Sequence, residues 1–464
     1  MKSLFRTLLL IIGVGALMSG CSLYQKYERV TTVPDGIMGD AADSLVVLPT
    51  ADSLCLDVDT IGWRKLFDDP LLQQLIDRAL ANNNDLQQAQ LTVEQAQSDL
   101  VAARLGYLPA VSLDPTAAYQ HFNGTASRTY ALPLQASWQL SIFGQVSSEK
   151  RQAAARRAMY DDYRQAVQAN LLANIASTYY RLLMLDRQLE ISLQTERLWL
   201  ESLETAEALY EAGLYQSPAV WQIKASLEDT RIDIVDLREE IVITESALCL
   251  LLSETPHAIP RAAWGTFVIP QRLHVGVPLR LLSARPDVRQ AQRHMEVAFY
   301  DTQQARQAFY PNITISGTLG WTNNDGTSIV NPAKLLSEAV ASLTQPLFAK
   351  GRIRARYRQA QAEQQKARLE FEQTLLRAGN EIYSNLHSFR RCQERVGYIT
   401  NQVHDMHEAY EATRELMTNG TNTYLEVVSS TMSLHNAQLN EVENRYAAIL
   451  ALINLYTALG GFQH

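Results

Sequence analysis

The sequence contains few cysteines, and their spacing excludes two common kinds of structural site. Only 4 cysteines occur in 464 residues, and Cys55, Cys249 and Cys392 lie far apart without a CxxC pair. Such spacing supplies neither a disulfide framework nor a zinc site. Cys249 and Cys392 are therefore predicted to pack as small apolar residues on helices.

Basic blocks and catalytic motifs are also absent. Lys and Arg number 41 against 49 Asp and Glu, for a net charge of −8, which argues against nucleic acid as a partner. The sequence has no phosphate-binding loop, no HExxH and no nucleophile elbow. His404 and His407 lie three residues apart on a predicted helix, and a solvated helix face explains them better than a metal site does. We predict no enzymatic activity, no catalytic residue, no cofactor and no bound metal.

Long apolar runs are missing as well. The N-terminal run Leu8–Leu17 is too short for a spanning helix, so residues 1–20 are interpreted as a signal peptide. Small residues stand directly before Cys21, as in a bacterial lipobox, where the cysteine is lipidated and becomes the mature N-terminus. Ser22 at the next position points to the outer membrane. An ordinary signal peptide with an incidental cysteine is the alternative.

Two long stretches lack proline and nearly lack glycine. Gln145–Ala212 has neither, and Arg352–Asn419 contains only Gly379 and Gly397. Each stretch is predicted to form one helix of about 100 Å, whereas a globular helix averages about 11–12 residues. No segment after the signal peptide is apolar enough for a spanning helix, so any membrane crossing must be made of strands.

Alternating segments precede both long helices. Strands are predicted at about 110–122 and 129–142, and again at about 312–321 and 338–348, where the last segment alternates poorly. One face of each of the first three strands is apolar and the other is polar, which fits a transmembrane barrel. A half-buried soluble hairpin has the same alternation.

The chain is an internal duplication, a pattern worth seeking in any long sequence. Asp85–Gln90 (DLQQAQ) recurs as Asp287–Gln292 (DVRQAQ), and the offset between paired motifs drifts only from 202 to 207. Further pairs are Tyr107–Pro109 with Phe309–Pro311, Ile142–Gly144 with Leu347–Ala349, and Tyr210–Gly213 with Met417–Gly420. Asp85 is predicted to cap a helix running to about Tyr107.

These motifs divide the chain into segments with different roles. Residues 21–66 are predicted to form a lipidated N-terminal arm, and residues 67–254 the first structural repeat. Residues 255–281 form a linker, and residues 282–464 the second repeat. Each repeat is therefore a helix, a strand pair, a long helix, a turn and a final helix.

Four strands cannot close a barrel, and lipid tolerates no open sheet edge. Several chains must therefore contribute to one barrel if these strands lie in a membrane. About 8 strands leave room only for side chains. Three chains, with twelve strands, are the smallest set that closes and leaves a bore.

The whole layout resembles the TolC-like outer membrane efflux family. The resemblance rests on the duplication, the lipobox, the motif Leu343–Phe348 (LTQPLF) and the two glycine turns, and it covers essentially all of residues 21–464. Within that family the chain is most similar to the lipid-anchored type that serves resistance–nodulation–division pumps.

The resemblance implies a mainly α fold with a small β part. A homotrimer would form a shared twelve-stranded transmembrane β-barrel, with four strands per chain, joined to a periplasmic α-barrel of long coiled-coil helices. An equatorial collar would include residues 253–281 and the chain ends. The implied function is the exit duct of a tripartite efflux pump, passively conducting drugs or other small molecules out of a Gram-negative bacterium. The implied partners are a periplasmic adaptor protein, an inner membrane pump and outer membrane lipid.

The resemblance also assigns two kinds of site. The turns at Gly213, Leu214, Gly420 and Thr421 would form the periplasmic tips that dock the adaptor, although each glycine is also expected as a helix C-cap. The periplasmic gate would involve Tyr424, Glu426 and Ser429, with Glu426 repeated threefold as a ring that favours cations.

The gate departs from the family pattern in two respects. Ser429 stands where some relatives carry a second acid, and Ala219 occupies the position in the first repeat that is equivalent to Glu426. The alternative for Glu426 is a solvated helix residue, and Tyr215, Trp221 and Tyr424 are candidates for a hydrophobic constriction instead.

Two other functions fit parts of the sequence. The chain could serve a type I protein secretion system or a metal exporter, both of which use a duct of this kind. From another class, a lipid-anchored periplasmic coiled-coil scaffold without a pore would have similar helices. The sequence does not identify the transported substrate.

Overall fold

The computed structural model describes residues 26–28, 55–57, 62–267, 272–274, 285–322, 335–418 and 424–460. These residues form two compact units. The first, called the sheet unit, contains the described parts of 91–161 and 290–372 together with 26–28. The second, called the helix unit, contains the described parts of 32–90, 162–289 and 373–464.

Helices dominate the described chain. The helices are α1 (Trp63–Leu66), α2 (Pro70–Asn82), α3 (Asn84–Leu105), α4 (Gln145–Glu211), α5 (Ser217–Leu251), α6 (Pro286–Gln307), α7 (Arg352–Thr418) and α8 (Tyr424–Ala458). The strands are β1 (Cys55–Asp57), β2 (Ala110–Leu113), β3 (Thr116–Phe122), β4 (Thr125–Leu140), β5 (Arg272–His274), β6 (Asn312–Thr322) and β7 (Leu335–Thr344).

The two long helices lie where the glycine- and proline-free stretches predict them. Helices α4 and α7 contain 67 residues each, so each is about 100 Å long. Within the helix unit, α4 buries the apolar seam Leu172, Ile175, Tyr179 and Leu182. No helix in the described part of the chain is both long enough and apolar enough to cross a membrane.

Side-chain caps fix the starts of two short helices. The Asp69 carboxylate accepts a hydrogen bond from the backbone N–H of Leu71 at 2.8 Å, which satisfies a donor at the start of α2. The Asn83 side-chain oxygen accepts from the N–H of Leu86 at 2.9 Å. The prediction of Asp85 as a cap is therefore wrong, because α3 begins at Asn84 and its cap lies two residues earlier.

The first predicted strand, 110–122, is two strands rather than one. Strands β2 and β3 both pair with β4, and Asp114 and Pro115 separate them. Neither Pro115 nor Pro133 of β4 has an N–H to donate to the ladder. Asp114 makes the remaining backbone contact, donating its N–H to the Pro133 carbonyl at 3.2 Å.

The other strand boundaries also differ from prediction. Strand β4 spans Thr125–Leu140 rather than 129–142, and β6 spans Asn312–Thr322. Strand β7 spans Leu335–Thr344 rather than 338–348. It ends before Pro346, whose ring removes a backbone donor and so cannot continue a hydrogen-bonded ladder.

The antiparallel sheet places most of its large apolar residues on one face. The order is β2 and β3, then β4, β6 and β7, and residues directly opposite one another share a face. Leu134 lies opposite Leu113 and Leu319, while Ile313 lies opposite Leu140 and Leu343. Leu335 and Leu343 of β7 share this face, whereas Leu336 and Val340, opposite Gly320 and Ser316, lie on the other face, in line with the poor alternation of this strand.

A second, parallel pair joins two segments far apart in sequence. Strand β1 pairs with β5 from Cys55 opposite Arg272 to Asp57 opposite His274. The pair connects the predicted N-terminal arm to the predicted linker in the helix unit.

Candidate functional site

The sheet exposes a continuous apolar face. In a water-soluble protein a large exposed apolar patch marks an interaction surface. Its exposed members, called the apolar sheet face, are Val111, Leu113, Leu132, Leu134, Trp138, Ile315, Leu319, Trp321, Leu335 and Leu343. The opposite face is mainly polar, with Ser112, Gln135, Ser137, Gln139, Thr314, Ser316, Thr318 and Ser342, but it also exposes Leu336 and Val340 of β7. One apolar and one polar face are what strands between lipid and water require.

The sheet has two open edges among the described strands. Strands β2 and β3 at one edge, and β7 at the other, each pair on one side only. An unpaired edge presents backbone donors and acceptors to another strand. The sheet therefore invites pairing with further chains at both edges.

The turn after α4 has the geometry of a Schellman motif. Gly213 has a φ of +74°; its N–H donates to the Tyr210 carbonyl at 3.0 Å, and the Leu214 N–H donates to the Leu209 carbonyl at 2.9 Å. These bonds satisfy the last carbonyls of the helix. The Leu214 side chain is 70% exposed. The equivalent tip residues Gly420 and Thr421 lie outside the described residues.

Beneath this turn an apolar cluster holds four helices together. The members, called the helix-end cluster, are Trp199 and Ala206 of α4, Val220, Ile223 and Leu227 of α5, Met417 of α7, and Val427 and Val428 of α8. Tyr215 packs against them, and burial raises the pKa of its hydroxyl. The buried Trp199 indole N–H donates to the Thr230 hydroxyl at 3.0 Å.

The predicted gate residues lie on the first turns of α8. Glu426 and Ser429 are exposed, whereas Val427 and Val428 face the helix-end cluster. The backbone of Tyr424 begins the helix, and its side chain lies outside the described part. Ala219, the equivalent of Glu426 in the first repeat, is fully buried. At this pair of equivalent positions, the first repeat therefore buries an alanine and the second repeat exposes an acid.

Polar contacts surround the helix-end cluster. The His435 imidazole contacts the Thr195 hydroxyl at 3.0 Å, and burial lowers its pKa while Asp233 acts in the opposite direction. Arg414 pairs with Glu201 at 3.2 Å. A groove of about 320 Å³ runs between α4, α7 and α8, with His407, His435 and Glu411 in its lining.

The described residues include neither a metal cluster nor the predicted lipidation site. No group of three or more His, Cys, Asp or Glu in the described ranges is placed to hold a metal, and His404 and His407 are both exposed on α7. Cys21, the predicted lipidation site, lies outside the described residues.

A duplicated chain with two 67-residue helices and an amphipathic sheet defines a class of membrane channel, and comparison with known proteins identifies it. The family of outer membrane efflux proteins matches residues 75–254 and 277–461. The chain belongs to that family, and the predicted resemblance is confirmed.

Relatives align over nearly the whole chain. The chain is 26% identical to the cation efflux system protein CusC of Escherichia coli O6:H1 over 456 residues, which cover 97% of each chain. It is 26% identical to the probable outer membrane lipoprotein SilC of Salmonella typhimurium over 470 residues, or 99% of each. It is also 26% identical to the toluene efflux pump outer membrane protein TtgF of Pseudomonas putida, which covers 98% of this chain and 97% of the relative.

Solved structures share the fold. The outer membrane channel OprN superposes with a TM-score of 0.85 at 23% identity, covering 95% of this chain and 99% of that one. A CusC structure has a TM-score of 0.82 at 25% identity, covering 95% and 100%. The mainly α fold with a small β part is confirmed. The chain is the outer membrane component of an efflux pump and lies in the outer membrane of a Gram-negative bacterium.

Proposed function

We propose that the chain is a passive exit duct that conducts small molecules from the periplasm to the exterior, with no enzymatic activity. The observation that carries this is the joining of an amphipathic sheet to long helices that end in a tight turn. A periplasmic scaffold surrounded by water would not be expected to expose the apolar sheet face. A periplasmic adaptor and an inner membrane pump would complete the assembly and supply the energy.

The test is accumulation in cells that lack the gene. Relatives are named for cation and toluene efflux, so the panel contains silver and copper ions, toluene and several antibiotics. Deletion raises the accumulation of the true cargo, and the wild-type gene restores export. Unchanged accumulation of every compound, from a strain in which the pump is expressed, contradicts the proposal.

We further propose that three chains share one barrel of twelve strands. Both sheet edges are open, and the duplication indicates how a second copy fits. Within one chain, Phe143 of the first repeat stacks on Tyr310 of the second, with ring centroids 5.4 Å apart. The repeat equivalents of this pair are Phe348 and Leu108, which are 85% and 62% exposed. Phe348 of one copy would then meet Leu108 of the next.

A chain carrying Leu108→Cys and Phe348→Cys tests this arrangement, with Cys55, Cys249 and Cys392 replaced by serine. A short bismaleimide cross-linker should produce covalent trimers in the membrane, because every chain offers one thiol to each neighbour. Leu108→Cys combined with Tyr398→Cys, which is exposed on α7, is the matched control and should stay monomeric. Monomers from the first pair would refute the contact.

Glu426 is proposed as the acidic ring of the gate. It is exposed at the start of α8, and the next residues, Val427 and Val428, anchor that turn in the helix-end cluster. Three carboxylates in one ring favour cations. Glu426→Ala should lower the cation selectivity of the pore in planar bilayers, whereas Glu239→Ala, exposed on α5, should not. Equal selectivity in all three proteins removes Glu426 from the gate. Ser429 and Tyr424 would then be tested by alanine substitution.

The turn at Gly213 and Leu214 is proposed to dock the adaptor, together with Gly420 and Thr421. An exposed leucine held by a rigid turn offers apolar surface that a partner can remove from water. Leu214→Asp should reduce export in cells while leaving the conductance of the purified protein unchanged. Tyr398→Asp is the control and should leave both unchanged. A loss of conductance in the Leu214 variant would indicate a folding defect instead of a docking defect.

Cys21 is proposed to carry the lipid anchor. Mass spectrometry of the mature protein should show a lipid-modified N-terminal cysteine. The Cys21→Ser variant should keep its signal peptide, because the processing enzyme for lipoproteins requires the modified thiol.

A further inference from the structure

A run of cations follows the sheet directly. Lys350, Arg352, Arg354, Arg356 and Arg358 occupy every second position from 350 to 358, just before and within the first turns of α7. No acidic residue occurs between Glu338 and Glu363. The net charge of this segment is therefore strongly positive in a chain whose overall charge is −8.

Only one of these five cations has an acidic partner in the described chain. Arg356 pairs with Asp301 at 3.0 Å. The other four, called the cationic cluster, are exposed and form no ion pair with a described residue: Lys350, Arg352, Arg354 and Arg358. Arg354 and Arg358 lie one helical turn apart, where like charges repel. No described carboxylate pairs with either guanidinium to offset this repulsion.

The cluster is carried by well-packed backbone. Tyr357 packs edge-on against Phe309 at the end of α6, with ring centroids 5.9 Å apart. The Thr302 hydroxyl of α6 donates to the Ala360 carbonyl at 3.1 Å. These contacts fix the first turns of α7 against α6 in the sheet unit, so the cations project from a fixed position.

Apolar side chains lie on the other side of the cluster in sequence. Leu343 is the last residue of the apolar sheet face, seven residues before Lys350, and Leu347 is 94% exposed. Exposed apolar residues followed at once by unpaired cations are typical of a membrane–water boundary, where acyl chains give way to phosphate groups.

We propose that the cationic cluster binds the phosphate headgroups of anionic phospholipids at the periplasmic surface of the outer membrane. The inference rests on the proposed function, since it requires the apolar sheet face to lie in lipid. It adds a lipid-binding surface of defined chemistry to the duct, and this surface would fix the depth of the sheet in the bilayer.

The test measures lipid preference in vesicles. Full-length protein is reconstituted in phosphatidylcholine containing spin-labelled phosphatidylglycerol or spin-labelled phosphatidylcholine, and electron paramagnetic resonance gives the relative association constant. The cluster variant carries Lys350→Gln, Arg352→Gln, Arg354→Gln and Arg358→Gln. The matched control carries four exposed cations of the helix unit changed in the same way: Arg238→Gln, Arg377→Gln, Arg391→Gln and Arg395→Gln.

Wild type and control should prefer phosphatidylglycerol by roughly fivefold or more, and 1 M salt should weaken the preference. The cluster variant should show a ratio near one. An unchanged ratio in the cluster variant overturns the proposal. So does a wild-type preference that inorganic phosphate abolishes but sodium chloride of the same ionic strength does not, because the site would then bind free anions.

Conductance of the same three proteins separates this inference from the proposed function. Conducting pores without a lipid preference overturn only the lipid-binding surface. A cluster variant with altered ion selectivity and an unchanged lipid ratio places the cations on the conduction path, which also overturns it. Wild-type protein that neither conducts nor enters the bilayer contradicts the exit duct itself.

Discussion

Asn83 and Arg285 occupy equivalent positions in the two repeats, and each binds the last carbonyl of its own repeat's final helix. Asn83 Nδ2 donates to the Leu251 carbonyl at 2.9 Å, and Arg285 Nη1 donates to the Ala458 carbonyl at 3.0 Å. These carbonyls end α5 and α8, where a helix leaves its acceptors unsatisfied. The duplication has therefore kept a contact while changing the side chain that makes it.

Loss of the arginine should cost more stability than loss of the asparagine. The Arg285 side chain is 8% exposed and also pairs with Asp287 at 2.8 Å and Glu381 at 2.7 Å. Although burial raises the pKa of the Asp287 carboxyl, the bonds from Arg285 hold it below its ordinary value. Arg285→Ala should lower the free energy of unfolding by about 2–3 kcal/mol.

Asn83→Ala should lower it by about 1 kcal/mol, as for loss of a helix cap. Denaturant unfolding of the two variants in detergent measures both losses of unfolding free energy. Equal effects of the two variants would contradict the larger stabilisation assigned to Arg285.

Gly320 lies opposite Pro133 in the sheet, where no side chain fits. A Cβ at Gly320 would clash with the Leu132 carbonyl oxygen and would lie 2.6 Å from the Pro133 Cα. Because both are backbone atoms, the strands themselves must shift. Gly320→Ala should destabilise the protein by about 1–3 kcal/mol.

Gly317 in the same strand is the control for this substitution. Its Cβ would meet only the Glu338 carbonyl oxygen at 3.6 Å, so Gly317→Ala should be tolerated. Thermal melting in detergent compares the stabilities of the Gly320→Ala and Gly317→Ala variants. Matching melting temperatures would contradict the close approach of β4 and β6.

Gly213 and Gly397 should respond to alanine in opposite directions. The φ of +74° at Gly213 disfavours any side chain, so Gly213→Ala should cost about 1–2 kcal/mol. Gly397 lies inside α7, and a Cβ there meets nothing within 4 Å. Gly397→Ala should therefore stabilise the protein by about 0.5–1 kcal/mol. Denaturant titration measures both, and destabilisation by the second change would argue against an open helix surface.

His435 should make stability depend on pH. Burial lowers its pKa in the folded protein, so the unfolded chain takes up a proton first as pH falls through about 6.5. Stability contributed by the neutral imidazole is thus intact above that pH and decreases below it, until the folded pKa is reached. His435→Gln should reduce the loss of stability between about pH 7 and pH 5.

The exposed His404→Gln variant is the control and should lose stability like the wild type. Thermal melting across this pH range compares the three proteins. An identical slope in all of them would mean that His435 does not contribute.

Sequence patterns predicted the helices and the faces of the strands better than the contacts between elements. The absence of glycine and proline in 145–212 was enough to place α4, because little else can interrupt a helix. The break at Pro115 and the position of β7 depend on which residues lie across the ladder. Such pairing is a tertiary property, and only the prolines signal where it is interrupted.

The candidate site shows the same division. Glu426 was identified from the family resemblance of the stretch after Gly420; the structure shows that it is exposed, and its role in the gate stays a prediction. Arg285 was missed because Glu381 is far away in sequence, although its place two residues before the repeated Asp287 motif matches that of Asn83. An alignment of the residues just before each repeated motif would have paired Arg285 with Asn83.

The measurement that tests the account most directly is the single-channel current of the purified wild-type protein in planar bilayers. A duct with an acidic gate predicts discrete openings that favour cations. No openings, from a protein whose anchorless form remains in solution without detergent, would contradict the account and favour a lipid-anchored periplasmic scaffold.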